Sequence, residues 1–190
     1  MKEIILASTS PRRQMLLKQV QIPFTIMIPD AEELFPSKGD FAEIVMHNAK
    51  AKASSVIEAA GGRIILGADT IVDIGGVALG KPVDIQDAFR MLNLLSGNEH
   101  NVYTGVALVD SFSGSVVTDF VKTQVRFRML TAGEIDDYIS TGEPMDKAGS
   151  YGIQERGALF IESIQGCFFN VMGLPLSRLW ELLKDLDNHN

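Results

Sequence analysis

Cysteine is nearly absent from this chain of 190 residues, since Cys167 is the only one. A single cysteine allows no intrachain disulfide and no cysteine-based zinc site. Long apolar runs are missing as well. The first one, Ile4–Ala7, is too short for a signal peptide, and no later one could span a bilayer. We therefore expect a cytoplasmic protein that does not associate with membranes.

Positive charge is also scarce, because 17 Lys and Arg residues stand against 24 Asp and Glu residues, a formal net charge of −7. This balance argues against binding of nucleic acid or an acidic membrane, and no stripe of aromatic and basic residues is present to stack on bases. A basic site must therefore be local, which suits a small anionic substrate. With 46% hydrophobic residues the chain can build a substantial core, so we expect one domain over residues 1–190.

Several familiar catalytic and nucleotide-binding motifs are missing. Neither G-x-x-x-x-G-K-[ST] nor G-x-G-x-x-G occurs, so the motifs of P-loop NTPases and of dinucleotide-binding Rossmann domains are excluded. No G-x-S-x-G elbow offers a serine nucleophile, and the three histidines are not spaced as metal ligands. What the chain does contain is a set of charged residues at unusual places.

The first of these places follows the predicted N-terminal strand. Ser10 suits a helix N-cap and Pro11 the first helical position. Arg12 and Arg13 then lie in the first turn, where the helix dipole disfavours cations by about 0.3–1 kcal/mol. An anion bound there, near the hydroxyls of Ser8 and Ser10, would remove the conflict, because helix N-termini and guanidinium groups both bind phosphate. The alternative is a pair of solvated arginines on a surface helix.

The second place is a long helix predicted to begin at the N-cap Asp40, with Glu43 completing a capping box, and to end at Gly61-Gly62. Its apolar face carries Phe41, Ile44, Val45, Ala49 and Val56. Lys50 falls on the opposite face, in solvent, whereas Lys52 falls within the apolar face. Lys52 therefore either snorkels to solvent or reaches a cleft that holds a negative partner.

The third place is the predicted strand Arg63–Val72, which is almost continuously hydrophobic, as a central strand covered on both faces should be. Asp69 interrupts it. Because an unpartnered buried carboxylate is costly, Asp69 is expected to be paired, to bind a metal or to act in catalysis, unless it merely caps the end of the strand. Gly67 would allow another group to approach the backbone closely, which fits an open site better than a filled core. A hairpin then brings Lys81 beside this strand.

Two loops carry further candidates. The acidic pair Glu32-Glu33 is either a solvated turn or a source of metal ligands. The loop 142–154 contains three glycines and a proline, which is typical of a shaped segment that lines a site. In it, Gln154 offers both a donor and an acceptor and so suits a base edge, whereas Asp146-Lys147 is interpreted as an internal salt bridge that shapes the loop.

The remaining elements follow from periodicity and capping residues. They are predicted to be strand Phe24–Ile28, helix Asp84–Leu95, antiparallel strands Val102–Val109 and Val116–Phe127, a helix from the capping box Thr131/Glu134 to Gly142, and a C-terminal helix whose Leu176, Leu179, Trp180 and Leu183 pack in the core.

Four cations and one carboxylate stand out from this survey: Arg12, Arg13, Lys52, Lys81 and Asp69. Several cations would hold a polyphosphate, and a carboxylate with a divalent ion would position or deprotonate water, as in a phosphoanhydride hydrolase. From the residues alone, the prediction stops at a polyanion site with an acidic residue.

A family resemblance extends this prediction. The chain resembles the Maf family of nucleotide pyrophosphatases, in the family's order from residue 4 to about residue 183, through Ser8-x-Ser10-Pro11-Arg12-Arg13, Gly67-Ala68-Asp69-Thr70, Gly80-Lys81-Pro82, Asp146-Lys147-Ala148-Gly149 through Gln154, and Gly173-Leu174-Pro175. The resemblance implies a two-lobed α/β fold, with a mixed sheet flanked by helices, a central cleft and a relation to inosine-triphosphate pyrophosphatases. It also implies cleavage of a nucleoside triphosphate to the monophosphate and pyrophosphate with Mg²⁺ or Mn²⁺.

The resemblance also implies roles for residues. Asp69 resembles the family's proton acceptor, which activates water, and Glu33 the acidic residue that assists Asp69 in holding the metal. Arg13, Lys52 and Lys81 resemble the family's phosphate-binding cations, and Ser8 and Ser10, which lie in the first matched motif, are expected to bind substrate with them. Arg12, Thr70 and Gln154 match the positions that distinguish the subfamily acting on dTTP and UTP from the one acting on 7-methyl-GTP.

Three further expectations follow. The segment Met46-His47-Asn48 departs from the apolar–Ala sequence expected there, and we expect it to touch no site residue. The family's link to septum formation makes a non-catalytic nucleotide sensor the alternative to an enzyme; Asp69 favours turnover, because a sensor needs the cations but not the base. The resemblance also suggests a homodimer with a nucleotide as its small-molecule partner.

Overall fold

The structure is a computed structural model that describes residues 2–35 and 38–189. In chain order its elements are β1 Ile4–Ala7, α1 Pro11–Gln19, β2 Phe24–Met27, α2 Phe41–Ser54, β3 Ile64–Ile74, β4 Val77–Leu79, α3 Ile85–Leu95, β5 Glu99–Asp110, β6 Val116–Phe127, α4 Ala132–Ile139, β7 Ile161–Gln165, α5 Phe168–Val171 and α6 Leu176–His189. Short 3-10 turns cover Ile57–Ala59 and much of the segment between α4 and β7.

Within the described ranges the strands form one mixed sheet in the order β2-β1-β3-β5-β6-β7, with β4 paired to β3. Strand β1 is parallel to β2 and β3, whereas the other pairs are antiparallel. The predicted α/β fold with a mixed sheet flanked by helices is therefore confirmed. No helix among these residues is long and apolar enough to cross a bilayer.

The pairing of strand β3 with its neighbours determines where the site lies. One of its edges pairs with β5 throughout, while the other pairs with β1 only as far as Gly67 and with β4 only from Val72. Asp69 and Thr70 lie in the interval between these two pairings. The gap in the sheet therefore places both residues beside an opening rather than beside a neighbouring strand.

The sheet is covered on both faces. Helices α1 and α6 pack on one face, against sheet side chains such as Leu6, Leu66 and Leu108, and α2 packs on the other through Ala49 and Ala53. A third apolar cluster joins α3 and α4 to the far end of β3. Because side chains alternate along a strand, Asp69 faces α2 and Thr70 faces the side of α1.

Local sequence signals account for most helix starts. The Asp40 carboxylate accepts hydrogen bonds from the backbone N–H groups of Ala42 and Glu43 at the start of α2. The capping box of Thr131 and Glu134 at the start of α4 is complete. The helix predicted to reach Gly61-Gly62 instead ends at Ser54 and continues as a 3-10 turn.

The prediction that Trp180 packs in the core is wrong, although the rest of the apolar face of α6 is buried. Leu176, Leu179 and Leu183 are at most 9% exposed, but Trp180 is 43% exposed. Its ring lies beside Lys184, with Nζ 5.2 Å from the ring centroid. An aromatic ring next to a cation is stable at a surface, so Trp180 does not need the core.

Candidate active site

A cavity of about 1040 Å³ opens beside the gap in the sheet. Its walls come from the segment between β1 and α1, from β3, from the turn after β4 and from the loop after α4. All ten predicted site residues line it: Ser8, Ser10, Arg12, Arg13, Glu33, Lys52, Asp69, Thr70, Lys81 and Gln154. Residues separated by up to 146 positions in the chain are thus brought to one cavity.

Asp69 and Lys52 form a buried ion pair at the base of this cavity. Lys52 Nζ lies 2.7 Å from Asp69 Oδ1 and 2.9 Å from Glu33 Oε2. The side chains of Lys52 and Asp69 are 11% and 10% exposed, whereas that of Glu33 is 51% exposed. Of the two alternatives for Lys52, the one in which it reaches a cleft with a negative partner is confirmed, and Asp69 is paired.

Helix α2 reaches Asp69 because two glycines let it lie directly on the sheet backbone. A Cβ atom on Gly67 would stand 2.1 Å from the carbonyl oxygen of Ala49, and one on Gly105 would stand 2.3 Å from that of Val45. The predicted close approach at Gly67 is therefore confirmed, but the approaching group is α2, so the interpretation that Gly67 faces an open site and not a filled core is wrong. This contact places Lys52 within reach of the carboxylate.

Asn48 is a site residue that sequence analysis missed. Its Nδ2 donates to Asp69 Oδ2 at 2.9 Å and to the Leu34 carbonyl at 2.9 Å, and its Oδ1 accepts from the Leu34 N–H at 2.8 Å. The expectation that the segment Met46-His47-Asn48 touches no site residue is wrong. Its position on the helix was a usable signal, because residues four apart share a face and Asn48 precedes Lys52 by four.

Arg13 is held inside the cavity wall by three hydrogen bonds. Its Nε donates to the Gly173 carbonyl at 2.8 Å, Nη1 to Ser8 Oγ at 3.2 Å and Nη2 to Thr70 Oγ1 at 3.2 Å. Burial lowers the pKa of Arg13 and the charge of Asp69 opposes that effect, but a guanidinium remains charged. Since the group has five N–H donors, two remain for an anion in the cavity.

Thr70 belongs to a chain of hydrogen bonds with a defined direction. Thr104 Oγ1 donates to the Asn170 carbonyl at 2.9 Å, so it must accept from Thr70 Oγ1, which lies 2.9 Å away. The Thr70 oxygen in turn accepts from Arg13. The Thr70 hydroxyl proton is therefore engaged, and in this arrangement Thr70 orients the guanidinium instead of donating into the cavity.

Arg12 and Asp146 approach each other from separate parts of the chain. Arg12 Nη1 lies 3.6 Å from Asp146 Oδ2, and Lys147 Nζ donates to Asp146 Oδ1 at 2.7 Å, so the internal salt bridge predicted for this loop is confirmed. Burial raises the pKa of Asp146, but the hydrogen bond and charge of Lys147 and the charge of Arg12 outweigh it and lower that pKa. Arg12 thus faces the cavity with an acidic neighbour.

Ser10, Lys81 and Gln154 complete the lining with groups that are open to a ligand. Ser10 occupies the N-cap position of α1 and Pro11 follows at the first helical position, but the Ser10 hydroxyl makes no cap hydrogen bond. Lys81 is exposed and Gln154 is half-buried, and neither has a hydrogen-bond partner among the described residues. Their donors and acceptors are therefore available.

The cavity lining also includes uncharged polar groups. Tyr151 lines the cavity, and the Tyr151 hydroxyl lies 2.7 Å from Nε2 of the buried His100. Burial lowers the pKa of His100 to about 4, so the imidazole is neutral near pH 7. Neither Tyr151 nor the histidine behind it therefore adds charge to the cavity at neutral pH.

The donor set fits a divalent ion that is bound jointly with phosphates. Among the described residues, no group of three or more His, Cys, Asp or Glu side chains could hold a metal by itself. Glu33 and Asp69 nevertheless face one cavity, and Lys52 balances both carboxylates. Mg²⁺ typically takes one or two protein carboxylates, several waters and the phosphates of its substrate.

Comparison with known proteins agrees with this geometry. The family model described as "Maf-like protein" matches residues 3–186. The dTTP/UTP pyrophosphatase of Clostridium botulinum (strain Loch Maree / Type A3) is 48% identical over 190 residues, 98% of each chain. That of Bacillus cytotoxicus is 50% identical over 188 residues, 99% of this chain and 97% of the relative.

One solved structure is also similar, the nucleoside-triphosphatase / dITP/XTP pyrophosphatase of Mycobacterium abscessus. It matches 68% of this chain and 76% of its own, with 15% identity and a TM-score of 0.43. A similarity at this level says nothing about the substrate. The family model and the close relatives, which cover nearly the whole chain, are sufficient: the chain is a member of the Maf-like protein family.

Proposed function

We propose that this protein hydrolyses dTTP and UTP to the nucleoside monophosphate and pyrophosphate. The observation that carries the proposal is the placement of Asp69, a buried carboxylate in a cavity whose other charged groups are mainly cations. A cavity of about 1040 Å³ is also large enough for a nucleotide. Relatives about half identical in sequence carry the name of this activity.

In the proposed reaction, Asp69 acts as the general base. A carboxylate oxygen of Asp69 accepts a proton from a water molecule while the water oxygen bonds to the α-phosphorus. The bond from that phosphorus to the oxygen that bridges to the β-phosphate breaks, and this oxygen leaves with pyrophosphate. Asp69 then releases the proton to solvent. A positioned base of this kind contributes about 10²- to 10⁴-fold to a rate.

The triphosphate is bound by the cations around Asp69. Arg13 keeps two free N–H donors, and Lys81 is an exposed residue that lines the same cavity. The backbone N–H groups at the start of α1, beside Ser8 and Ser10, add a second type of phosphate donor. Arg12 leaves Asp146 and binds the triphosphate, because the triphosphate carries more negative charge than one carboxylate.

The nucleobase of the substrate is recognised by Gln154. Its amide can donate to a carbonyl and accept from the N3–H of thymine or uracil, which offers both groups on one edge. Thymine and uracil differ by one methyl group, and a pocket distinguishes such a difference by about 1–3 kcal/mol. Activity on both nucleotides is therefore expected.

A divalent cation, Mg²⁺ or Mn²⁺, completes the proposal. Glu33 and Asp69 would hold it together with the phosphates. When bound, such an ion supplies charge neutralisation for the phosphate oxygens. The ammonium group of Lys52 contacts both carboxylates and carries the same sign of charge as the metal, so it would give up part of these contacts when the ion binds.

The experiment that tests the proposal measures pyrophosphate release from a panel of nucleoside triphosphates with Mg²⁺ or Mn²⁺. Wild type is compared with Asp69→Asn and with Asp73→Asn, a matched control, since Asp73 is another buried carboxylate of β3 that lies outside the cavity lining. We expect turnover of dTTP and UTP, a loss of about 10²-fold or more in kcat for Asp69→Asn, and near-normal kcat for the control. Unchanged turnover in Asp69→Asn would remove Asp69 from the role of base.

The non-catalytic nucleotide sensor is supported less well than the enzyme, because Asp69 has no task in a sensor. Silence across the panel, with nucleotide still bound, would favour the sensor. For the chain as a whole we propose one domain whose two lobes enclose the nucleotide, located in the cytoplasm. A homodimer remains a prediction, which light scattering in solution would check.

A further inference from the structure

The loop that carries Glu33 has little structure of its own. Residues 28–35 contain no helix or strand, and Glu33 is an exposed residue whose carboxylate contacts Lys52. The following residue, Leu34, has both backbone polar groups bonded to the side chain of Asn48. The backbone beside Glu33 is thus fastened to helix α2 by one amide.

The same amide also fixes Asp69. Asn48 is 1% exposed, and both of its N–H donors are used, one on the Leu34 carbonyl and one on Asp69 Oδ2. Its oxygen accepts from the Leu34 N–H, so reversing the amide would oppose oxygen to oxygen at two contacts. The orientation of the Asn48 side chain is therefore determined, and with it the distance between Leu34 and Asp69.

Lys52 contacts the same two carboxylates, and its positive charge would oppose a divalent ion held by them. An ammonium group and a metal ion repel each other, whereas a neutral amide does not. Asn48 approaches Asp69 at Oδ2, while Lys52 uses Oδ1. Asn48 can therefore hold the backbone beside Glu33 to Asp69 whether or not Lys52 keeps its contacts with the two carboxylates.

We infer that Asn48 is a positioning residue that sets the affinity of the Glu33–Asp69 pair for a divalent cation. The inference rests on the proposed function in one respect, that these two carboxylates bind the ion. Groups that orient metal ligands typically change metal affinity by 10- to 100-fold when they are replaced. We therefore expect the half-saturating concentration of Mn²⁺ to rise by about 10-fold or more in Asn48→Leu.

The matched control is Asn101→Leu. Asn101 Nδ2 donates to Asp73 Oδ2 at 3.1 Å, which is the same type of contact as that of Asn48 with Asp69. Neither Asn101 nor Asp73 lines the cavity. Asn48→Ala carries the same expectation as Asn48→Leu and adds no volume, so it replaces that variant if the leucine prevents folding. Thermal unfolding identifies the variants that are folded.

Two readouts are combined. Isothermal titration with MnCl₂ of the protein in the presence of inorganic pyrophosphate, which supplies phosphate ligands, reports metal binding directly once the heat of the same titration without protein is subtracted. Pyrophosphate release from dTTP at varied MnCl₂ reports it through activity. At saturating Mn²⁺, KM for dTTP should change by less than about 3-fold, because Asn48 makes no contact with the phosphate-binding cations other than through Asp69. A merely structural lesion would change stability without this selective effect on the metal.

Equal Mn²⁺ dependence in wild type and a folded Asn48 variant would overturn the inference, and so would an equal shift in Asn101→Leu. Failure of the proposed function looks different. In that case the wild type releases no pyrophosphate from any nucleotide, while the calorimetric titration still compares Mn²⁺ binding by wild type and variants.

Discussion

Gly67→Ala tests whether the contact of α2 with the sheet builds the active site. The new Cβ atom would stand 2.1 Å from the Ala49 carbonyl oxygen and 2.9 Å from the Ala53 N. Contacts of a real Cβ below 3.0 Å are essentially never seen, and both neighbours are backbone atoms that no side-chain rotation can move away. Helix α2 must therefore shift from β3 by about 1 Å, a displacement that costs about 10²-fold in rate when it separates catalytic groups.

The shift would act on the two residues of α2 that contact Asp69. Asn48 and Lys52 lie 2.9 Å and 2.7 Å from its carboxylate, and both hydrogen bonds would lengthen beyond a normal range. Overpacking of this kind also destabilises a core by about 1–3 kcal/mol. We expect kcat for dTTP to fall by about 10²-fold and the urea midpoint to decrease.

The assay combines pyrophosphate release with urea unfolding, so that loss of activity is measured on folded protein. Gly133→Ala is the control, since Gly133 lies in α4 with open space around its Cβ position, and alanine there favours the helix by up to about 1 kcal/mol. Wild-type kcat in a folded Gly67→Ala protein would refute the argument that this backbone contact positions Lys52 and Asn48.

Two further predictions concern recognition of the nucleobase and the dependence of stability on pH. Gln154→Glu should weaken dTTP and UTP selectively in a nucleotide panel, because a carboxylate cannot donate to a base carbonyl; an equal loss for all nucleotides would remove Gln154 from base recognition. Burial lowers the pKa of His100 to about 4 in the folded protein, whereas the unfolded chain takes up this proton near pH 6.5. The contribution of His100 to the free energy of unfolding is therefore complete above pH 6.5 and is lost as the pH falls towards 4. Urea unfolding at several pH values should show a loss of about 3 kcal/mol from this group, absent in His100→Leu; parallel pH curves for the two proteins would contradict it.

Predictions from neighbouring residues were the most successful part of the sequence analysis. The caps at Asp40 and Thr131 lie within three residues of the groups they bind, and the apolar run of β3 identifies a buried central strand without reference to the rest of the chain. The extent of α2 was predicted less well, because glycine marks a place where a helix can end but does not require the helix to extend that far. The prediction that Trp180 is buried was wrong because hydrophobicity does not by itself imply burial.

The sequence identified residues that line the candidate site, but it did not identify the hydrogen bonds between them. The ten residues were found from charge, strand context and family motifs, and all of them line one cavity. Asn48 was missed because its partners, Leu34 and Asp69, are 14 and 21 positions away, and an asparagine in a helix carries no charge that would draw attention to it. The link from Arg13 to Gly173 spans 160 residues and has no local signature.

The sequence by itself determined the class of fold, the local starts of helices, the family and the identity of the charged residues, because periodicity, capping and motifs are written in adjacent positions. Only the tertiary structure decided which partner each charge takes. Asp69 and Thr70 are neighbours in β3, yet they face opposite sides of the sheet, so one is bound by α2 and the other by Arg13. Distances across the gap between β1 and β4 depend on how distant segments pack, and packing is a property of the whole chain.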